Sequence, residues 1–138
     1  MIIHSSDTNE TEKAGALLAK KLKPRDFVAL YGDLGVGKTA FVRGAVSVLC
    51  PDAPVCSPTY AIVNRYDGDV TVYHFDLYRI NDEDDLYSTG FFDMTEEDAV
   101  FFCEWCEKCP NAIPDNALKV VISREGDGRR IEIADTCT

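Results

Sequence analysis

The feature that most constrains this chain is the eight-residue run Gly32-Asp33-Leu34-Gly35-Val36-Gly37-Lys38-Thr39, which follows directly on the apolar stretch Phe27-Val28-Ala29-Leu30-Tyr31. The run is a complete G-x-x-x-x-G-K-[ST] pattern, the signature of a loop that wraps a phosphate chain. Each residue type has a physical reason. Backbone N–H groups reach phosphate oxygens only where the chain comes close in conformations that a Cβ forbids, and Gly32, Gly35 and Gly37 permit them. Lys38 adds a point charge toward the outer phosphates, and the Thr39 hydroxyl is placed to join the coordination of a magnesium ion. Residues 39–49 read as a helix that turns the positive end of its dipole on the same anion. A turn that merely joined a strand to a helix would not need the whole pattern, so the context points to a nucleotide site.

The remaining composition narrows the class. At 138 residues the chain reads as one domain, 1–138, long enough to bury a core. Its formal net charge of −10 counts against direct binding to DNA or RNA, which depends on clustered Lys and Arg, so any RNA connection has to run through a partner. No apolar run approaches the length of a membrane span, and Met1-Ile2-Ile3-His4-Ser5 has neither a basic start nor a signal-like apolar region. These features suggest a cytoplasmic protein. In that compartment reduced thiols are the default for the six cysteines. Cys50, Cys56 and Cys137 are isolated. Cys103, Cys106 and Cys109 have the spacing of three ligands of an iron–sulfur run, but the fourth cysteine is missing and Cys103 ends an apolar strand, so coincidence is the preferred reading.

Residues 8–22 read as a helix with Ala14, Leu17, Leu18 and Leu22 on one face, a capping-box-like start at Asp7 and Glu10, and a basic end before Pro24. Val55-Cys56-Ser57-Pro58-Thr59-Tyr60 reads as an ordered loop whose hydroxyls suit a turn. Residues 61–66 and 70–78 around Asp67-Gly68-Asp69 form a hairpin pattern. There Tyr73, Phe75 and Leu77 share one face, while Val72, His74, Asp76 and Tyr78 share the other. His74 alone reads as structural. Residues 81–88 read as a short acidic helix ended by Gly90, and Phe91-Phe92-Asp93-Met94 as a loop or turn with exposed-looking aromatics that fit either the core or a partner contact. Ala99-Val100-Phe101-Phe102-Cys103 has the pattern of a strand buried on both faces and ends in Glu104-Trp105. Residues 117–123 and 130–134 bracket a second hairpin turn, with Arg129 and Arg130 read as solvated. A phosphate loop needs an acid to complete its magnesium site, and Asp76 and Glu104 both end strand-like runs. At least one of them should serve.

These motifs in this order, Gly32 to Thr39, Ser57-Pro58-Thr59-Tyr60, His74-Phe75-Asp76-Leu77-Tyr78-Arg79 and Glu104-Trp105, resemble the TsaE family of small bacterial P-loop ATPases of tRNA threonylcarbamoyladenosine biosynthesis. The resemblance covers nearly the whole chain. It implies a single α/β P-loop NTPase-like domain, with a mixed sheet, antiparallel hairpins and flanking helices, that binds ATP and Mg2+ and hydrolyses ATP weakly without its partners. Those partners would be TsaB and TsaD, with tRNA reached only through the complex and the threonylcarbamoyl transfer belonging to TsaD. Carried over by position, Asp33, Leu34, Gly35, Val36, Gly37, Lys38, Thr39 and Ala40 hold the nucleotide. Thr39 and Glu104 bind magnesium, and Asp76 supports the metal or the attacking water. Thr59 belongs to a switch-like segment, Trp105 lies close to the nucleotide and Thr11 near the adenine. Two positions depart from the family's pattern: Val36 stands where alanine is common, and Cys106 where proline is common. A small-molecule kinase or a non-catalytic nucleotide-dependent module are the rival readings. The kinase would call for an arginine-rich lid, whereas the middle of the chain carries only Arg65 and Arg79.

Overall fold

The unbroken apolar runs Phe27–Tyr31 and Ala99–Cys103 are accommodated by burying both sheet faces. The computed structural model describes residues 1–33, 35–52 and 62–134. Leu34, the Ser57-Pro58-Thr59-Tyr60 segment with Thr59, Cys56 and Cys137 lie outside the described residues. In chain order the elements are β1 (Ile2–Ser5), α1 (Thr8–Ala19), β2 (Phe27–Tyr31), α2 (Lys38–Leu49), β3 (Val63–Tyr66), β4 (Thr71–Asp76), α3 (Glu83–Ser88), α4 (Phe91–Met94), β5 (Ala99–Glu104), β6 (Leu118–Glu125) and β7 (Gly128–Ala134). The described strands form one seven-stranded mixed sheet in the order β1-β7-β6-β2-β5-β4-β3.

The four central strands, β6, β2, β5 and β4, run parallel, and antiparallel partners close both sides. Parallel strands are ordinarily covered on both faces, and every residue of β5 is buried. Val28, Leu30, Val100, Phe102, Val120 and Ile122 point to the face covered by α1 and α2. Phe27, Ala29, Tyr73, Phe75, Phe101 and Cys103 point to the other, under Leu86 of α3 and Phe91 of α4. Rings fill this second layer: Phe75 meets Phe91 edge-on at 4.7 Å, and Tyr73 stacks on Phe101 at 5.9 Å.

Several local expectations shift. Residues 2–5, read in sequence only for the lack of a signal, pair as β1 with β7. Helix α1 stops at Ala19 instead of Leu22; Asp7 caps its start by accepting from the Glu10 N–H at 2.8 Å. Leu17 is 47% exposed, because the buried face runs through Thr11, Ala14, Gly15 and Leu18. Of the two readings for Phe91, core or partner contact, the structure shows core, at the start of the short helix α4.

That buried face of α1 crosses α2 at unusually close range. A Cβ on Gly15 would stand 1.9 Å from the Phe41 carbonyl oxygen, and one on Gly44 would stand 1.8 Å from that of Glu12. Alanine normally improves a helix interior over glycine. Here it would drive the helices apart, so Gly44→Ala should destabilise the protein by about 2 kcal/mol, the range of an overpacked core, and lower Tm by about 7 °C in a thermal melt. An unchanged or raised Tm would contradict this crossing.

Candidate functional site

The parallel register brings the chemistry-bearing residues to one edge of the sheet. Leu30 of β2 pairs with Glu104 of β5, and Asp76 of β4 pairs with the same Glu104. Two acids therefore stand side by side at the carboxyl ends of neighbouring strands, level with the end of β2, where ligands gather in open α/β sheets.

Beyond β2 the chain makes its glycine turn. Gly32, Gly35 and Gly37 take φ of 146°, 81° and 111°. A Cβ on Gly32 would lie 2.4 Å from the Ile122 carbonyl oxygen. Gly37 caps α2 without a side chain, so the first-turn N–H groups of the helix are left facing the loop for an anion to use. The valine at position 36 is accommodated by burial, with its side chain packed in the core beneath the loop. Ala40 is buried one turn into the site, and Asp33 is exposed.

Lys38 is only 4% exposed, yet its charge is satisfied. Its Nζ donates to the Gly32 carbonyl at 2.7 Å and stands 4.0 Å from the centre of the Trp105 ring. Trp105 itself takes the left-handed conformation, φ 58°, which bulky residues seldom adopt, and packs on Tyr78 at 4.9 Å. Thr39, on the exposed side of the first turn, donates its hydroxyl to Glu104 Oε2 at 3.2 Å, with Oε1 at 3.5 Å.

Glu104 is buried at 4% exposure, and His74 supplies its shortest contact, Nε2 to Oε2 at 2.5 Å. Asp76 is exposed, and its Oδ1 accepts from the Tyr78 N–H at 3.0 Å, an Asx turn that fixes the strand end. Among the described residues no three His, Cys, Asp or Glu side chains converge into a metal centre complete in itself. A hydroxyl and carboxylates suit a hard cation that keeps water and phosphate oxygens in its shell, as magnesium does. The residues present fit that ion.

On the other side of the loop a cleft of about 310 Å³ opens between α1 and the β6–β7 hairpin, with Asp7, Thr8, Thr11, Gly35, Asp127 and Arg129 among its walls. The buried Thr11 hydroxyl bonds Ser5 Oγ at 2.7 Å, and its methyl group lies 3.4 Å from where a Cβ of Gly37 would be. Arg129 corrects the expectation of a solvated turn: its Nε donates to the Val36 carbonyl at 3.0 Å, tying β7 to the phosphate loop. Arg124, its register partner, holds Nη2 3.7 Å from the Cβ position of Gly35. Nothing local announces these contacts, which span 93 positions in the case of Arg129. His74 had one signal, its place two residues before Asp76 on the same strand face.

Cys103, Cys106 and Cys109 are buried, and the Cys106 thiol donates to the Cys103 carbonyl at 3.1 Å. Hydrogen bonding with Cys106, then burial, pushes the Cys103 thiol well above its usual range.

The fold and the site define a single-domain α/β protein of the P-loop type. The family described as Threonylcarbamoyl adenosine biosynthesis protein TsaE matches residues 5–131. A tRNA threonylcarbamoyladenosine biosynthesis protein TsaE of Bacillus subtilis (strain 168) is 37% identical over 122 residues, covering 88% of this chain and 76% of that protein. Its namesake in Haemophilus influenzae is 38% identical over 107 residues, 77% of this chain and 68% of that protein. The crystal structure of Bacillus subtilis YdiB superposes with a TM-score of 0.82 at 29% identity, over 99% of this chain and 85% of that one. The chain belongs to the TsaE family, which takes part in tRNA threonylcarbamoyladenosine biosynthesis.

Tyr31, the last residue before the loop, provides a check on the burial of the region behind the site. Burial first, then the nearby Cys106, Glu107 and Cys103, push its hydroxyl from 10.0 up to about 12. The folded chain holds this proton more tightly than the unfolded one, so the linked stability is intact below pH 10.0 and is lost as pH rises through about 12. In urea unfolding, Tyr31→Phe should lose stability less steeply across that window than the parent. Equal slopes would contradict the burial.

Proposed function

We propose that this chain binds MgATP at the Gly32–Thr39 loop and hydrolyses it slowly, as the partner-dependent ATPase of a TsaB–TsaD complex that modifies tRNA. One observation carries the reading: the phosphate-loop pair Lys38 and Thr39, at the head of α2, faces the buried Glu104 at the end of β5. A lysine for the outer phosphates, a hydroxyl for the metal and an acid behind it are the parts that phosphoryl transfer recruits in such sites.

The backbone of residues 33–40 wraps the phosphates, and Lys38 exchanges the Gly32 carbonyl and the Trp105 ring for phosphate oxygen. Thr39 and Glu104 hold magnesium, which neutralises charge on the phosphate oxygens when bound. Asp76, beside Glu104 and open to solvent, supports the metal or the attacking water. The cleft between Thr11 and Arg129 receives the nucleoside. Water adds to the γ-phosphorus as the bond to the β-phosphate oxygen breaks, giving ADP and inorganic phosphate. Charge in the transition state gathers on the phosphate oxygens, and a partner that brings an arginine to them would accelerate a hydrolysis that is slow in the chain alone. TsaB and TsaD act in the same modification, with the threonylcarbamoyl transfer on TsaD, and tRNA meets the chain only through them. The chain's net charge of −10 supports that indirect contact.

MgATP at a hundredfold excess over its dissociation constant should stabilise the folded protein by about 2.7 kcal/mol, seen as a raised Tm. Lys38→Met keeps the apolar stem over Trp105 and removes the charge, so it should fold and lose that gain. No shift in the parent chain, or a full shift in Lys38→Met, would reject the reading.

A further inference from the structure

Glu104 is a carboxylate in a place that penalises carboxylates. Its side chain is 6% exposed, and an ionised acid at that depth is tolerated only when its oxygens are hydrogen-bonded. Thr39 approaches from α2 at 3.2 and 3.5 Å, beyond the usual range of a hydroxyl bond. The short contact, 2.5 Å, comes from His74, which is itself 9% exposed. A metal-ligating carboxylate is ionised and can only accept, so in that role Glu104 takes its hydrogen from His74 Nε2. Such charge-assisted bonds are the shorter and stronger kind.

The register explains why this histidine is the partner. β4 and β5 run parallel, with His74 level with Phe102 and Asp76 level with Glu104. Alternation along a strand sends His74 and Asp76 to the same face. The imidazole leans along the strand to Glu104, while the Asp76 carboxylate is occupied by the Tyr78 N–H. The two acids of the site are thus held by different devices, one by a side chain and one by a turn.

We infer that His74 is a positioning residue, which holds the Glu104 carboxylate against Thr39 and so prepares the magnesium half of the site before nucleotide arrives. The inference rests on the reading of Thr39 and Glu104 as metal ligands. Groups that orient a metal's ligands typically account for about 10–100-fold in metal affinity. A histidine that merely filled space would affect stability and leave cation dependence alone.

The test titrates Mg2+ at fixed, subsaturating ATP, reading the thermal shift, and measures ATP affinity separately in EDTA. His74→Leu should raise the half-saturating Mg2+ concentration at least tenfold and leave the EDTA affinity unchanged. His74→Asn, too short to reach Glu104, should behave like His74→Leu and decides the matter if the leucine variant does not fold. His74→Gln, whose amide N–H can reach Glu104, should stay within about threefold of the parent, since it restores a donor for the same carboxylate. Parent-like Mg2+ titration in both the leucine and asparagine variants, or an equal loss of affinity in EDTA, overturns the positioning role. Absence of any Mg2+-dependent shift in the parent chain would instead bring down the MgATP reading on which the inference stands.

Discussion

The site depends on one constraint, the parallel pairing of β5 with β2 on one side and β4 on the other. Leu30, Glu104 and Asp76 are held level by that pairing, so the phosphate-loop turn, the buried acid and the exposed acid emerge at one edge of the sheet. A slip of one residue in β5 would turn Glu104 to the opposite face, where Cys103 and Phe101 now pack, and would leave Thr39 without its partner. The all-buried β5 resists such a slip because each of its two faces is matched to a different apolar layer.

Helix packing fixes the other half of the site. The close crossing of α1 and α2 at Gly15 and Gly44 sets where α2 begins, and so where Lys38 and Thr39 stand relative to the sheet edge. The same crossing brings Thr11 against Gly37 and forms one wall of the cleft. The β6–β7 hairpin forms the facing wall and is anchored to the loop through Arg129 and the Val36 carbonyl. Core packing and site geometry are therefore one problem in this small domain, and a glycine far from any phosphate contributes to both.

Local pattern made much of this legible. The glycine turn, the capped start of α1, the doubly buried β5 and both hairpins follow from short-range rules of period and turn chemistry. The side chains that act across elements did not show. β1 is four residues long and exists only because β7 offers a partner more than 120 positions away, as in the pairs Ile3 with Ile131 and His4 with Arg130. His74 and Arg129 looked like residues of a strand and a turn, since a donor's acceptor 30 or 93 positions distant leaves no periodic trace. Leu17 reads as part of the apolar face of α1 yet lies exposed, because the line through Thr11, Ala14, Gly15 and Leu18 is the one that is buried.

The central claim is that nucleotide turnover at Lys38, Thr39 and Glu104 sustains tRNA modification by a TsaB–TsaD complex. It is tested most directly by reconstituting the modification with TsaB, TsaD, tRNA and this chain, and by counting threonylcarbamoyladenosine formed per complex alongside phosphate released. The account predicts repeated turnover with the parent chain and ATP, and arrest after about one round when Thr39→Ala replaces it or a non-hydrolysable ATP analogue replaces ATP. Repeated turnover that continues unchanged without the chain, or with the analogue, would contradict it.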